Sequence, residues 1–298
     1  MANAQQLSKL RQGVESWAKW LEAQGAMDLD LRAANLSGMQ IEAVSLAKAN
    51  LVKADLSNSD LVAADLASAD LTQAELVNAD LSEANLSNAL LRRAYLIDAD
   101  LSGANLIGAD LRGASLIRAN LERANLIGTS ISQAQLNEAI LNGANLQRTN
   151  LSEADLTEAH GNEADFSRAN LYDAEMQGFS GYGANFFRAR AVLTHLCKAY
   201  LASADFSEAL LARIDLRWTN LTGANLSYSS LTEAKLRGAN LSNADLKGAN
   251  LTGANLRGAN LTKADLRGAN LERANIAEAT FHLAKLQGTI MPDGSRHC

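Results

Sequence analysis

Acidic, histidine and cysteine side chains that suit metal binding recur every 20 residues in the second half of the chain. Asp155, Glu175, His195 and Asp215 are each 20 residues apart, and Cys197 follows His195 by two. If residues 20 apart stack, a carboxylate, an imidazole and a thiol lie within reach of one divalent metal ion. Such a column would be convex and solvated, without a pocket. We therefore predict no metal site, and the candidate ligands remain Glu175, His195, Cys197 and Asp215.

No other combination of residues in the sequence suits catalysis. There is no nucleophile paired with a base, no glycine-rich phosphate loop and no closed set of metal ligands. We therefore predict that the protein is not an enzyme, has no catalytic residues and binds no cofactor.

A five-residue unit must position every outward side chain, and it is most regular in residues 241–270. Leu recurs there every five residues, with Ala two places before it and Asn or Asp between them. On a helix this Leu would advance about 140° per unit and form no stripe. In an extended segment, Ala and Leu share one side while the polar residue points to the other. Because five is odd, the chain must bend once per unit to keep every Leu inside, which predicts an all-β solenoid.

The two remaining positions of each unit make the bends. Most of the 20 Gly residues fall two places after a Leu, where a type II turn needs a positive φ. The one proline, Pro292, lies beyond the last unit, where it removes no N–H that a neighbouring coil needs.

Units such as residues 244–248, ADLKG, resemble the pentapeptide-repeat family, A-(N/D)-L-X-X, over nearly the whole chain. The resemblance implies a right-handed, four-sided parallel β-helix with 20 residues per coil. The oversized centres Phe166, Phe186 and Phe206, which are 20 residues apart, agree with four sides. We also expect the ring of Phe179 to fill a void in the core, where Gly stands at two centres.

These patterns divide the chain into three parts. Residues 1–28 are predicted to form an N-terminal α-helical cap, residues 29–290 a β-helix of about 13 coils, and residues 291–298 a C-terminal tail. Residues 157–220 are the least repetitive stretch, and within it residues 177–195 could loop out. They keep the five-residue phase, but a loop whose length is a multiple of five would keep it too, so both alternatives stay open.

The N-terminal cap is predicted as one amphipathic helix over residues 3–24. Its apolar residues recur at three- and four-residue spacing, Asn3 with Gln6 resembles a capping box, and Gly25 provides the stop. A cap is needed because the open end of a β-helix exposes unpaired strand edges and its apolar column.

An acidic collar follows, in which the polar position is acidic six times in succession and on all four faces. Some pentapeptide-repeat proteins protect DNA gyrase because an acidic rod resembles duplex DNA, so the resemblance permits a DNA-mimicking inhibitor or protector of gyrase or topoisomerase. The alternative is that Asp replaces Asn at a position that needs a small hydrogen-bonding side chain. A basic last third of the chain favours this alternative. The collar comprises Asp55, Asp60, Asp65, Asp70, Glu75 and Asp80.

Large aromatic side chains at outward positions are the candidate anchors for a protein partner, because the rest of the surface is small or polar. They could instead pad an irregular coil, and both interpretations stay open. We predict a non-enzymatic, rigid scaffold for protein–protein interaction, similar to the cyanobacterial pentapeptide-repeat proteins, some of which are regulatory. The candidate anchors are Tyr172, Tyr182, Phe187, Tyr200 and Trp218.

The remaining expectations concern environment and partners. The net charge is −6, the two cysteines are too distant to suggest a disulfide framework, and no apolar run is long enough for a membrane. We expect a cytoplasmic protein without membrane contact, whose partner is an unidentified protein. Direct nucleic-acid binding is not expected, because the basic residues lie on separate faces. The resemblance also implies a homodimer through the C-terminal coils.

Overall fold

The computed structural model describes residues 2–25 and 27–298, which fall into two compact units that meet in sequence at Thr149 and Asn150. Both units consist of a turn every five residues and, between turns, a one-residue parallel bridge to the residue 20 places further on. Four turns and four bridges per 20 residues define a four-sided coil, so the predicted stacking is confirmed within each unit. A single β-helical domain over residues 29–290 stays a prediction. The bridges run from Asp30–Asn50 to Asn125–Asn145 in the first unit and from Asn150–Asn170 to Asn270–Ile290 in the second.

Each repeat is bonded to itself and to a coil on either side, as residues 245–249 show. The N–H of Ala249 donates to the oxygen of Leu246 (3.0 Å) and closes the turn. The N–H of Leu246 donates to the coil that follows, and the N–H of Asp245 to the coil before. The third turn residue, Gly248, has a φ of 65°. Many residues other than glycine, including Trp218, adopt the same positive φ at this position, so the turn does not require glycine.

The core is a column of buried Leu and Ala with a few larger residues. Phe166 and Phe186 stack with their ring centroids 4.8 Å apart, and Phe186 and Phe206 with theirs 4.5 Å apart. Phe179 occupies the void at Gly161 and Gly181, since a Cβ on either glycine would come within 2.6 Å of its ring. Both core predictions are confirmed.

Residues 177–195 remain in the coil. His195 pairs with Glu175 and with Asp215, while Ser180 pairs with Tyr200. The alternative of a looped-out segment is therefore wrong, because the bridges on either side of it continue without an omitted residue.

Two helices precede the first coil, α1 at Ala4–Leu10 and α2 at Val14–Gln24. The prediction of one helix over residues 3–24 is wrong, because Gly13 adopts a φ of 99° and breaks it. Neither helix is long and apolar enough to cross a membrane. Gly25 ends α2 as predicted.

The capping box predicted for Asn3 and Gln6 forms only in half. The Asn3 side chain accepts from the N–H of Gln5 and of Gln6, as an N-cap residue does. The Gln6 side chain does not return to Asn3. It is buried, donates to the oxygen of Asp28 (2.9 Å) and accepts from the N–H of Asp30 (2.7 Å).

The helical segment also donates hydrogen bonds to backbone oxygens at the open edge of the first coil, on three of its four faces. The Asn3 N–H donates to the oxygen of Asp30 (2.7 Å), the Arg11 guanidinium to that of Asn35 (3.1 Å), and the Trp17 indole to that of Ser45 (2.8 Å). Trp17, Leu10 and the four inward centres of this coil are all buried. The centres are Leu31, Leu36, Ile41 and Leu46.

The last coil has no helix against it within the described residues. Its centres Ile276, Phe281 and Leu286 are only half-buried. Residues 291–298, which the sequence assigned to a tail, turn back instead, and Ile290 pairs in antiparallel fashion with Arg296. A turn in which the Gly294 N–H donates to the Met291 oxygen (2.9 Å) ends the coil and begins this return.

Candidate interaction surface

Face A of the second unit is the part of the molecule that carries the exposed aromatic residues. It consists of residues 178–182, 198–202 and 218–222, which stack because Ser180 bridges Tyr200 and Tyr200 bridges Asn220. In each five-residue segment, the first, third and fifth side chains point outward, whereas the second and fourth point into the core. Face A therefore presents nine outward positions in three successive coils.

Three of these positions hold aromatic residues that are about half exposed: Tyr182 (48%), Tyr200 (48%) and Trp218 (58%). They occupy the fifth, third and first places of successive segments, so they cross face A obliquely, and we call them the aromatic diagonal. One coil and two residues separate neighbouring members, a step of roughly 8 Å. The whole diagonal is about 16 Å long.

The Trp218 ring packs against the next coil in the space left by a glycine, Gly238. A Cβ on Gly238 would overlap the ring, so only glycine leaves room for it. The Arg237 guanidinium lies 5.9 Å from the ring centroid, which allows a cation–π contact. The indole is therefore exposed, but its position is already fixed before any partner binds.

The other two aromatic candidates lie elsewhere and are half-buried. Tyr172 belongs to the opposite face and has the Arg190 guanidinium 6.0 Å from its ring centroid. Phe187 lies on a side face, with the Arg188 guanidinium 4.9 Å from its ring. The five residues predicted as anchors therefore do not form one surface, because the 20-residue coil distributes them over three faces.

The predicted column of Asp155, Glu175, His195 and Asp215 exists, but Asp215 is bonded outside it, to Arg217. His195 Nδ1 lies 3.6 Å from Glu175 Oε2. Asp215, expected to be solvated, is only 4% exposed. Burial raises the pKa of its carboxyl, but hydrogen bonds from Arg217 outweigh burial and hold that pKa below its usual value. The Asp215 carboxylate is thus already engaged.

Cys197 does not complete a metal site. Its Sγ lies 3.8 Å from the Oε1 of Gln177, one coil away. Within residues 2–25 and 27–298, no group of three or more His, Cys, Asp or Glu side chains could hold a metal ion.

The acidic collar has a local structural role. Oδ1 of Asp60, Asp65 and Asp70 accepts the backbone N–H two residues further on, at 3.0–3.2 Å. Asn50 makes the same bond. The position therefore uses Asp and Asn alike to close the turn, which supports the alternative interpretation of the collar.

Sequence reasoning missed Leu210 and Tyr228, which are 52% and 61% exposed on the face opposite face A. Both occupy outward positions of their repeats, so the 20-residue coil would have predicted their exposure on this face. Tyr95, 49% exposed in the first unit, was missed for the same reason.

A turn every five residues, a 20-residue coil and a Leu/Ala column define a four-sided β-helical repeat protein. The family model for pentapeptide repeats matches in eight copies, and the chain belongs to the pentapeptide repeat family. Solved members fold as right-handed four-sided β-helices, as the resemblance implied. The matched segments include residues 28–61, 41–76, 74–113, 104–143, 139–178, 214–253 and 254–291.

Solved structures with similar sequences come from the same family. HetL, a pentapeptide repeat protein involved in heterocyst differentiation regulation from the cyanobacterium Nostoc sp. strain PCC 7120, is 32% identical over 96% of this chain and 99% of its own, with a TM-score of 0.23. Rfr23 from the cyanobacterium Cyanothece 51142 is 40% identical over 32% of this chain and 59% of its own, with a TM-score of 0.18.

The fluoroquinolone resistance protein QnrB1 is 20% identical over 60% of this chain and 92% of its own, with a TM-score of 0.42. The search of curated proteins finds no match. The family assignment therefore rests on the repeat sequence.

Proposed function

We propose that this protein is a non-enzymatic scaffold that binds another protein through the aromatic diagonal of face A. The observation that carries the proposal is the placement of Tyr182, Tyr200 and Trp218 on one face in three successive coils. The other outward positions of that face are small or polar and, except for Lys198, uncharged. Aromatic side chains surrounded by small residues are typical anchors of protein interfaces. Because the coil is already ordered, binding costs little conformational entropy there.

Site-specific photo-crosslinking tests this proposal. A photoreactive phenylalanine analogue at position 200 should capture one defined protein from the source cell, and Tyr182→Ser together with Trp218→Ser should abolish that product. The matched control is the analogue at position 95, because Tyr95 is equally exposed but lies in the first unit. Equal capture at both positions, or capture that survives the two substitutions, would overturn the proposal.

The alternative function is a DNA-mimicking inhibitor or protector of gyrase. It is tested by quinolone protection of gyrase supercoiling, with wild type and Asp60→Asn/Asp65→Asn/Asp70→Asn compared. Asn keeps the acceptor that closes the turn, so only charge is lost. Protection by the wild type that disappears in this variant would replace the scaffold proposal.

We further propose that α1 and α2 form a cap on about 13 coils. This cap is supported by three donors, from Asn3, Arg11 and Trp17, that reach edge oxygens of the first coil.

We also propose that the scaffold acts in the cytoplasm, as expected from the sequence.

For the last coil we propose pairing with a second copy, since its apolar centres are half-buried. Sedimentation equilibrium should give a dimer for the wild type and a monomer for Phe281→Ser/Leu286→Ser. Tyr95→Ser is the control and should remain dimeric. A monomeric wild type at high concentration would contradict the pairing.

A further inference from the structure

Two of the three segments of face A have a counterpart ten residues later that shares part of their sequence. Residues 198–202 and 208–212 read KAYLA and EALLA, and residues 218–222 and 228–232 read WTNLT and YSSLT. The segments that follow, GANLS and GANLT, differ at one position. The first two pairs keep a large residue at the same outward place, Tyr200 with Leu210 and Trp218 with Tyr228, although the family pattern A-(N/D)-L-X-X requires none there.

Ten residues are half of a coil, so the second set lies on the opposite face. That face consists of residues 188–192, 208–212 and 228–232, which stack because Arg190 bridges Leu210 and Leu210 bridges Ser230. Val192, Leu210 and Tyr228 hold its fifth, third and first places, as Tyr182, Tyr200 and Trp218 do on face A. We call these three residues the second diagonal.

The two diagonals also share their construction. Trp218 and Tyr228 both stand at the positive-φ turn position, with φ of 61° and 57°. Each ring lies over a glycine of the next coil, Gly238 or Gly248, where a Cβ would meet the ring. Large aromatic residues are costly at positive φ, and a glycine beneath each one gives its ring a defined position.

The charge around the two diagonals has the same sign. Among the nine described outward positions of face A, Lys198 is the one charged residue. On the opposite face, Arg188 and Glu208 pair at 2.7 Å, which leaves the charge of Arg190. The nine outward positions of each face therefore sum to a formal charge of +1, in a chain whose net charge is −6, and Arg237 adds a further positive charge beside Trp218. An acidic segment fits both faces better than a basic one or a second copy of this acidic chain.

The size of each diagonal also favours a short segment. Three side chains along about 16 Å offer much less than the roughly 800 Å² per partner that a stable globular interface buries. A segment of a few residues with apolar side chains matches this length. One such contact would be weak, but two on the same molecule can add avidity when the partner is itself multivalent.

We infer that the second unit binds two copies of one short, acidic segment with apolar anchors, one copy on each of two opposite faces. This inference rests on the proposed function, because face A is one of its two sites. It adds the second site, the stoichiometry and the chemistry of the partner.

The test is selection from a random-peptide display library on the full-length chain, followed by calorimetry of the most enriched synthetic peptide. We expect peptides rich in Asp, Glu and apolar residues, and two bound per wild-type chain. Tyr200→Ser/Trp218→Ser and Leu210→Ser/Tyr228→Ser should each bind one, and the combined variant none. All four side chains are about half exposed, so thermal melts should stay near wild type. Tyr95→Ser is the control and should still bind two.

Other outcomes separate this inference from the function on which it rests. One peptide per chain, lost only with the face A substitutions, would overturn the second site and leave the proposed function standing. Enrichment of basic peptides would overturn the assigned chemistry. Binding that survives the combined variant, or a library that yields no binder, would sink both. The wild-type stoichiometry decides the question even if a variant folds poorly.

Discussion

The first coil and the last coil face the same physical problem and meet it differently. At the first coil the open edge includes carbonyl oxygens, and the helical segment supplies donors to those of Asp30, Asn35 and Ser45. At the last coil the open edge includes the N–H groups of the inward centres. Within the described chain, no backbone oxygen accepts those of Phe281 and Leu286. One end is closed by hydrogen bonds on three faces, while the other is closed mainly where the hairpin returns.

The apolar column shows the same difference. The centres of the first coil are fully buried, as are Leu10 and Trp17, whereas those of the last coil keep part of their surface in water. The two short helices therefore satisfy edge oxygens on three faces, and as the proposed cap they would also cover the column. The hairpin at Ile290 and Arg296 does only the first of these, on one face.

The largest expected effect is that of Trp17→Ala. Trp17 is fully buried and its indole donates to Ser45, so removal should lower the free energy of unfolding by about 3–5 kcal/mol in urea. Phe281→Ala at the other end should cost clearly less, because Phe281 is only half-buried. Trp20→Ala is the control, since Trp20 stacks on Trp17 but is half-buried. Equal losses for Trp17→Ala and Phe281→Ala would remove the contrast between the two ends.

A smaller loss is expected for Gln6→Leu. The buried Gln6 amide donates to Asp28 and accepts from Asp30, so Leu would leave two backbone groups unsatisfied at a cost of about 1–3 kcal/mol. Hydrogen exchange should accelerate at the Asp30 amide. Gln5→Leu, at an exposed position, should leave both stability and exchange unchanged. Unchanged exchange at Asp30 in Gln6→Leu would show that this contact does not secure the first coil.

The coil itself was predictable because five-residue periodicity leaves little freedom. Apolar residues two apart must share a face, and an odd period forces a bend. Periodicity does not fix the number of sides, and the 20 residues per coil came from the family resemblance; the stacking of Phe166, Phe186 and Phe206 follows from that coil. The filling of the glycine void by Phe179 followed as well, because a ring beside two missing side chains has one place to go.

The parts that failed depend on contacts between segments. The break at Gly13 and the turn of the Gln6 side chain toward Asp28 arise from docking on the coil, which helical spacing does not encode. The distribution of the aromatic candidates over three faces is a different case, because it could have been predicted from the 20-residue coil. The burial of Asp215 and its hydrogen bonds from Arg217 could not have been predicted, since the repeat spacing gives neither side-chain burial nor side-chain partners.

The hairpin that returns on the last coil should give a local effect. His297→Pro removes the N–H that donates to Thr289 (2.9 Å), a bond worth about 1 kcal/mol. Exchange should accelerate at the amides of Gly288 and Met291, which donate to the same return segment. His297→Ala keeps the N–H and should leave exchange unchanged. If the two variants exchange alike, the hairpin does not protect this edge.

The smallest expected effect is a loss of stability at low pH, and it compares the pKa of one carboxyl group at each end. A hydrogen bond from the Arg32 side chain lowers the pKa of Asp30 to about 2, and a hydrogen bond from the Ser295 side chain lowers that of Asp293. A carboxyl whose folded pKa is depressed contributes stability above its ordinary pKa near 4 and loses it as the pH falls toward the folded value. Both ends should therefore weaken below about pH 4.

Salt should separate the two ends in that titration. The partner of Asp30 is a charged guanidinium and that of Asp293 a neutral hydroxyl, and high salt shortens the Debye length from about 10 Å to about 3 Å. In NMR titrations of the carboxyl carbons, high salt should raise the pKa of Asp30 and leave that of Asp293 nearly constant. Arg32→Met should reproduce the effect at Asp30, and Ser295→Ala should raise the pKa of Asp293 at any salt concentration. A parallel salt response would mean that charge pairing does not distinguish the two ends.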